Sequence, residues 1–210
     1  MPGLKRTSAP ATEPVTQAEA QLWLKQSSDA DDAIVDLLIA GARELTEEYC
    51  QRAWITQTWE YMLDSIPESA DADTWKIKHG WPLSLNVPGG SDSINIPRPP
   101  LISVTSIEYY DTANTEATFS SASYTLDTWG VGSMGRVYLN SGYSWPSGLR
   151  DHNAILVTYV AGYGAAAAVP SAVKTAMRQI IEANYDWRAG EIEFPKAAKD
   201  ALSTLRIIST

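Results

Sequence analysis

The hydrophobic period of this 210-residue chain changes twice, from helical to alternating and back to helical, and that order limits the folds open to it. Thr16 and Glu19 stand at capping-box spacing and predict a short helix over residues 16–26, with Leu22 and Trp23 as its apolar anchors. A turn over 27–30 leads into a long helix over 31–52. Ile34, Leu37, Leu38, Gly41, Leu45 and Tyr49 recur along it at helical spacing as one apolar stripe. Asp31 and Asp32 open it as capping charges, where the helix dipole favours carboxylates.

From residue 54 the period becomes two. Ile55, Gln57, Trp59, Tyr61 and Leu63 share one strand face, with Thr56, Thr58 and Glu60 on the other. Further short strands are predicted at 75–78, 83–87, 94–96, 104–110, 117–119, 124–127, 136–139 and 155–161, with turns at 111–115, 130–135 and 141–148. The helical period returns at Pro170, with Val173, Ala176, Met177, Ile180, Ile181 and Trp187 inward and Gly190 as the stop. Pro195 starts a last short helix that turns Ala198, Leu202 and Leu205 inward.

Neither terminal helical piece can bury its stripe alone. The expected fold is therefore α+β, a helical core from both ends carrying an inserted antiparallel β-sandwich or barrel. Its divisions are a flexible arm (1–15), the first part of the helical core (16–53), the β insertion (54–164), the second part of the core (165–205) and a tail (206–210).

Composition removes several function classes. The formal net charge of −9 argues against a protein that grips nucleic acid through phosphate contacts, though not against one past which DNA slides. With 44% apolar residues, a chain of this length buries roughly 70% of its unfolded surface and needs no staples. Cys50 is the single cysteine, so no intrachain disulfide can form, and a small buried helix residue is its expected role. The first fifteen residues lack the apolar run of a secretory signal. The most apolar stretch, 154–169, is broken by Gly162 and Gly164 and falls short of the ~20 residues of a membrane span, so a soluble protein without membrane contact is expected.

Motifs for chemistry fail on context. Residues 130–135 match G-x-G-x-x-G, but a strand pattern follows, where a dinucleotide site requires a helix N-terminus; a glycine-rich turn is the reading. A calcium loop from Asp29 would need a ligand, Gly and Glu where Ala33, Ile34 and Ala40 stand. His79 and His152 lie in turn-like segments outside any zinc spacing, and Glu191 and Glu193 sit in an acidic loop. No catalytic residue, cofactor or metal site is expected. Trp75, Trp81, Trp129 and Trp145 fall in or near β-region loops, where indole faces can stack on sugars. A glycan-binding β-sandwich module is therefore the alternative, with ordinary core or interface aromatics the plainer reading.

Residues 31–44 (DDAIVDLLIAGARE) and 49–59 (YCQRAWITQTW) together resemble the opening of phage head-to-tail connector, or adaptor, proteins. Residues 96–101 (IPRPPL), 104–111 (VTSIEYYD) and 157–164 (VTYVAGYG), Val169-Pro170, and the closing Ala201, Leu202, Ser203, Leu205 and Arg206 are similar to later segments of that family, in its larger form with a β insertion. The likeness runs in order over about 16–207. It implies a virion structural protein of the neck, assembled in the host cytoplasm. It implies a twelve-subunit ring, docked between the portal protein and a downstream tail or stopper protein, with DNA passing through the lumen without specific binding. It also implies that the C-terminal segment reaches the portal, which makes Leu205, Arg206, Ile207, Ile208, Ser209 and Thr210 the candidate portal-binding residues. Leu205 and Ile208 folding back onto the last helices is the other reading of this tail.

Overall fold

A computed structural model describes residues 3–26, 31–66, 93–129, 134–185 and 193–207. Among these, four α-helices and two antiparallel sheets form an α+β fold. The chain divides into two compact units. The β unit comprises Met1–Ala9, Gln57–Gly162 and Ile207–Thr210, and the helical unit Pro10–Thr56 and Tyr163–Arg206.

The helical unit contains α1 (Gln17–Leu24), α2 (Asp32–Cys50), α3 (Ser171–Tyr185) and α4 (Lys196–Leu202). The capping box of α1 forms as its spacing predicts: the Glu19 amide donates to Thr16 Oγ1 at 3.2 Å and the Thr16 amide to Glu19 Oε2 at 2.9 Å. The other carboxylate oxygen accepts from Arg178 of α3 at 3.3 Å, so one side chain closes the helix start and ties it to its neighbour. On α3 all five described stripe residues, Val173, Ala176, Met177, Ile180 and Ile181, are buried. Trp187 and Gly190 lie outside the described residues. Ala198 and Leu202 of α4 close the same core.

On α2 the buried face is not the expected one. Val35, Ile39, Ala42, Thr46 and Cys50 point inward, whereas Leu37 is 73% exposed and Ile34 40%. Leu38, Leu45 and Tyr49 lie at the margin, packed against the core. The helix carries two apolar arcs, and the one with the smaller side chains sits in the α3 seam, where helices approach closely. The anchors of α1 shift likewise: Ala20 is buried, Leu24 packs on the core, and Leu22 is 81% exposed. Asp31 at the N-cap and Asp32 in the first turn stand at the start of α2 as expected, and both also make tertiary contacts. Asp31 accepts from the Tyr185 hydroxyl at 2.7 Å without a side-chain cap, and Asp32 accepts from Gln21 Nε2 at 2.5 Å.

The β unit holds β1 (Gly3–Ser8), β2 (Gln57–Leu63), β3 (Ser93–Ile96), β4 (Leu101–Tyr110), β5 (Glu116–Thr118), β6 (Tyr124–Asp127), β7 (Gly135–Leu139) and β8 (Ile155–Ala161). One sheet has the order β1-β2-β8-β4-β5 and the other β3-β7-β6. Neither sheet closes into a barrel among the described residues. β8 lies centrally and alternates as its sequence requires, with Ile155, Val157, Tyr159 and Ala161 buried and the residues between them half-buried. Residues 97–100 cross between the sheets. The Tyr159 hydroxyl donates to the Pro97 carbonyl at 3.0 Å, the Gly162 amide donates to the Pro100 carbonyl at 2.9 Å, and the Pro99–Pro100 peptide is cis. A Cβ at Gly135 would stand 2.3 Å from that of Leu101, so β7 and β4 touch where only glycine fits. The turn over 111–115 is held by Asp111 Oδ1, which accepts from the amides of Ala113 and Thr115 at 2.8 Å each. The expected strands at 75–78 and 83–87 lie outside the described residues.

The expected flexible arm is corrected at its start. Residues 3–8 pair antiparallel with β2, from Gly3 opposite Met62 to Ser8 opposite Thr58. An edge strand held by backbone bonds to one neighbour needs no apolar period of its own, which is why the pattern gave no signal. In the helical unit, Tyr163 donates to the Trp54 carbonyl at 3.1 Å and Thr56 to the Gly164 carbonyl at 3.2 Å, so the segment between leaves and returns side by side.

Two expectations follow. In a denaturant titration Ile39→Ala should cost about 2–5 kcal/mol, while Leu37→Ala should stay within about 0.5 kcal/mol; equal losses would contradict the observed face of α2. The second concerns Asp127, whose carboxyl is held below its ordinary 3.8 by hydrogen bonds from Arg136 and the Trp129 amide. A depressed folded value means stabilisation present above the unfolded value and lost as pH falls through the folded one. Asp127→Asn should therefore lower the melting temperature at neutral pH, with the gap starting to close below the ordinary 3.8 and vanishing as pH falls through the lower folded value. A constant offset down to pH 2 would contradict this ionic account.

Candidate functional site

The residues that could carry chemistry are dispersed. Among the described residues no group of three His, Cys, Asp or Glu could hold a metal ion. His152 is exposed, and His79, Asp29 and Glu191 lie outside the described residues. Glu193 is held through its backbone, the amide donating to Asn184 Oδ1 and the carbonyl accepting from Asn184 Nδ2, both at 2.8 Å. Cys50 is fully buried beside the Leu202 carbonyl, and burial pushes its thiol up to about 12. Such a thiol is inert at neutral pH. Gly135, the last glycine of the G-x-G-x-x-G match, begins β7, so the motif runs into a strand, where a phosphate site needs a helix.

The tryptophans separate. Trp145 is half-buried and tilts onto Phe119, with ring centres 5.1 Å apart, while Phe119 stacks on Tyr124 at 6.1 Å. This row is internal packing of the β unit. Trp129 is 92% exposed, and Trp75 and Trp81 lie outside the described residues. The described residues thus bring together no flat aromatic platform of the kind a sugar ring stacks on.

The C-terminal candidates also split. Leu205 packs against the helical core, and its carbonyl accepts from Arg52 Nε at 2.5 Å. The Leu205 and Arg206 amides both donate to the Leu202 carbonyl, at 2.9 and 3.1 Å. Arg206 is exposed, with its guanidinium 4.8 Å from the Tyr49 ring centre. Fold-back therefore holds at Leu205. Ile207 is half-buried, and Ile208, Ser209 and Thr210 lie outside the described residues.

What sequence reasoning missed is the apolar surface of the helical unit. Leu22 and Trp23 project from α1 beside Lys25, with Trp23 Nε1 donating to Glu182 of α3 at 2.8 Å. A groove runs along α2, floored by Leu37, Leu38, Gly41 and Leu45, with Ile180 and Asn184 of α3 along one side and Glu44 and Glu48 on the lip. Most of these positions belong to the stripe that sequence periodicity assigned to the core. Among the described residues no helix is long and apolar enough to cross a membrane, so this surface is not part of a helical span.

No protein-family model and no curated protein matches the chain. Solved structures do. A chain of the neck of an empty gene transfer agent (GTA) particle computed with C6 symmetry superposes with a TM-score of 0.74 at 17% identity, over 99% of this chain and 97% of that one. Chains of a native GTA virion and of a native GTA neck computed with C12 symmetry give 0.71 and 0.70 at the same identity, again over 99% of this chain. The burial of Cys50 makes one chemical expectation: a thiol reagent should label it only on global unfolding, and rapid labelling of the native protein would contradict the packing of α2 on α4. In fold, over its whole length, this chain is like a chain of the neck of a phage-like particle.

Proposed function

We propose that the chain is a structural, non-enzymatic subunit of the neck of a tailed phage or phage-like particle. It acts as a head-to-tail connector (adaptor), a twelve-subunit ring seated between the portal and the next tail or stopper component. The observation that carries this reading is the shared fold with a GTA neck chain over 99% of this chain and 97% of that one. A likeness that spans both units with so little left over on either side favours the same kind of part, not a borrowed module.

The sequence supports the same role independently. The ordered connector-like segments run from residue 16 to 207, and the net charge of −9 suits a lumen that DNA traverses without adhering. Assembly, not turnover, is the mechanism: each subunit presents one surface to the next copy, and the ring closes by rotation. The portal contact belongs to residues 206–210. Arg206 offers its forked guanidinium to an acidic rim, and Ile207 and Ile208 offer aliphatic area.

Co-sedimentation with the portal protein of the same genome tests this reading. The full chain should travel with portal rings, and a chain ending at Leu205 should keep its melting temperature and lose most of that binding. A full-length chain that never travels with portal would contradict the connector role. A truncated chain that binds at full strength would remove the contact from 206–210.

A further inference from the structure

We infer that neighbouring copies in the ring join by seating the α1 knob, Leu22 and Trp23, of one subunit in the α2 groove, Leu37, Leu38, Gly41 and Leu45, of the next. This rests on the ring reading above and names the contact that makes the ring. The knob is the most exposed apolar feature of the described helices, with Leu22 81% and Trp23 42% exposed. The groove is its concave counterpart, and Leu37 on its floor is 73% exposed. Large aliphatic and indole surfaces left in water are the kind of patch that marks a protein contact.

Three observations select a second copy as the occupant. The first is placement. At roughly 100° per residue, Ile180 and Asn184, which flank the groove, point about 200° round α3 from Arg178 and Glu182, which flank the knob. Knob and groove therefore lie on opposite sides of one helix. A subunit with complementary features on opposite sides joins head to tail, the arrangement that closes into rings.

The second is charge. Lys25 is exposed three residues beyond Leu22, and Glu44 and Glu48 are exposed on the lip of the groove. Seating the knob sets that cation toward those carboxylates, while Glu19 and Glu182 beside the knob are already engaged by Arg178 and by the Trp23 indole. The third is that solved necks with this fold are computed with C6 and C12 symmetry, in which copies recur about an axis. The same contact gives a use to Leu37, which the core of its own subunit leaves 73% exposed.

Cysteine pairing on the full chain tests the contact, since Cys50 is buried and does not compete. Leu22→Cys and Leu37→Cys variants are mixed under mild oxidation, with and without portal. A disulfide requires Cα atoms within about 7 Å. The expected result is a mixed 22–37 dimer in the mixture, at least tenfold above either variant alone, and a ladder of higher species from the double variant. Leu37→Asp should melt like the parent and form no rings. Rings that form in full while Leu37→Asp is present, without 22–37 pairing, would overturn this contact and leave the ring reading intact. A parent chain that remains monomeric with and without portal would overturn both.

Discussion

The buried Arg43 joins several segments of the helical unit. Arg43 of α2, with its side chain 5% exposed, donates to Glu13 at 2.8 Å and to Glu47, one turn along, at 2.9 Å. The other oxygen of Glu47 accepts from the Trp54 amide at 2.9 Å, and the Trp54 indole donates to Thr46 at the same distance. A single guanidinium thus ties the segment entering α1 to the middle of α2, and through Glu47 to the chain leaving for the β unit. Burial raises the Glu13 carboxyl above its ordinary value against the pull of Arg43, a sign that desolvation here is only partly offset. Breaking such a buried pair on one side costs about 3–5 kcal/mol, because the remaining charge has nowhere to go. The node lies on the buried side of α2, with Thr46 and Cys50 of the same face.

Much of the fold was legible because its elements bury one face. The period-two alternation of β8, the stripe of α3 and the capping box of α1 are local statements of burial, and all appear in the structure. β1 was illegible because a strand made by backbone pairing to β2 carries only Leu4 as a large apolar residue. The face of α2 was misread for a different reason. Its outer arc holds more leucine than its inner one, and periodicity measures hydrophobicity without saying what will cover it. Arg43 could not be recognised as a core residue, since its partner Glu13, and Trp54 on the far oxygen of Glu47, come near it only in the fold.

The candidate site was legible in a narrower sense. Sequence reasoning rightly read a strand, not a helix, behind the G-x-G-x-x-G match, and it kept both fates of Leu205 open; the structure folds Leu205 onto the core. It did not find the knob and the groove, because surface shape arises from three helices packed together. The misassigned stripe of α2 was nevertheless the signal: it holds more apolar side chains than one core covers, and Leu37 and Ile34 are left exposed. On the connector reading proposed above the subunit needs no chemistry of its own, and the knob and groove are the surfaces assigned to its contacts.

Cryo-electron microscopy of the assembled particle tests the central claim most directly, by fitting the two units of this fold into the density and locating them along the head-to-tail axis. The account predicts a ring of this chain in the neck, next to the portal, with the α1 and α2 faces of adjacent copies in contact. Density for this fold at the tail tip or on the capsid shell, or a complete neck that lacks it, would contradict the account.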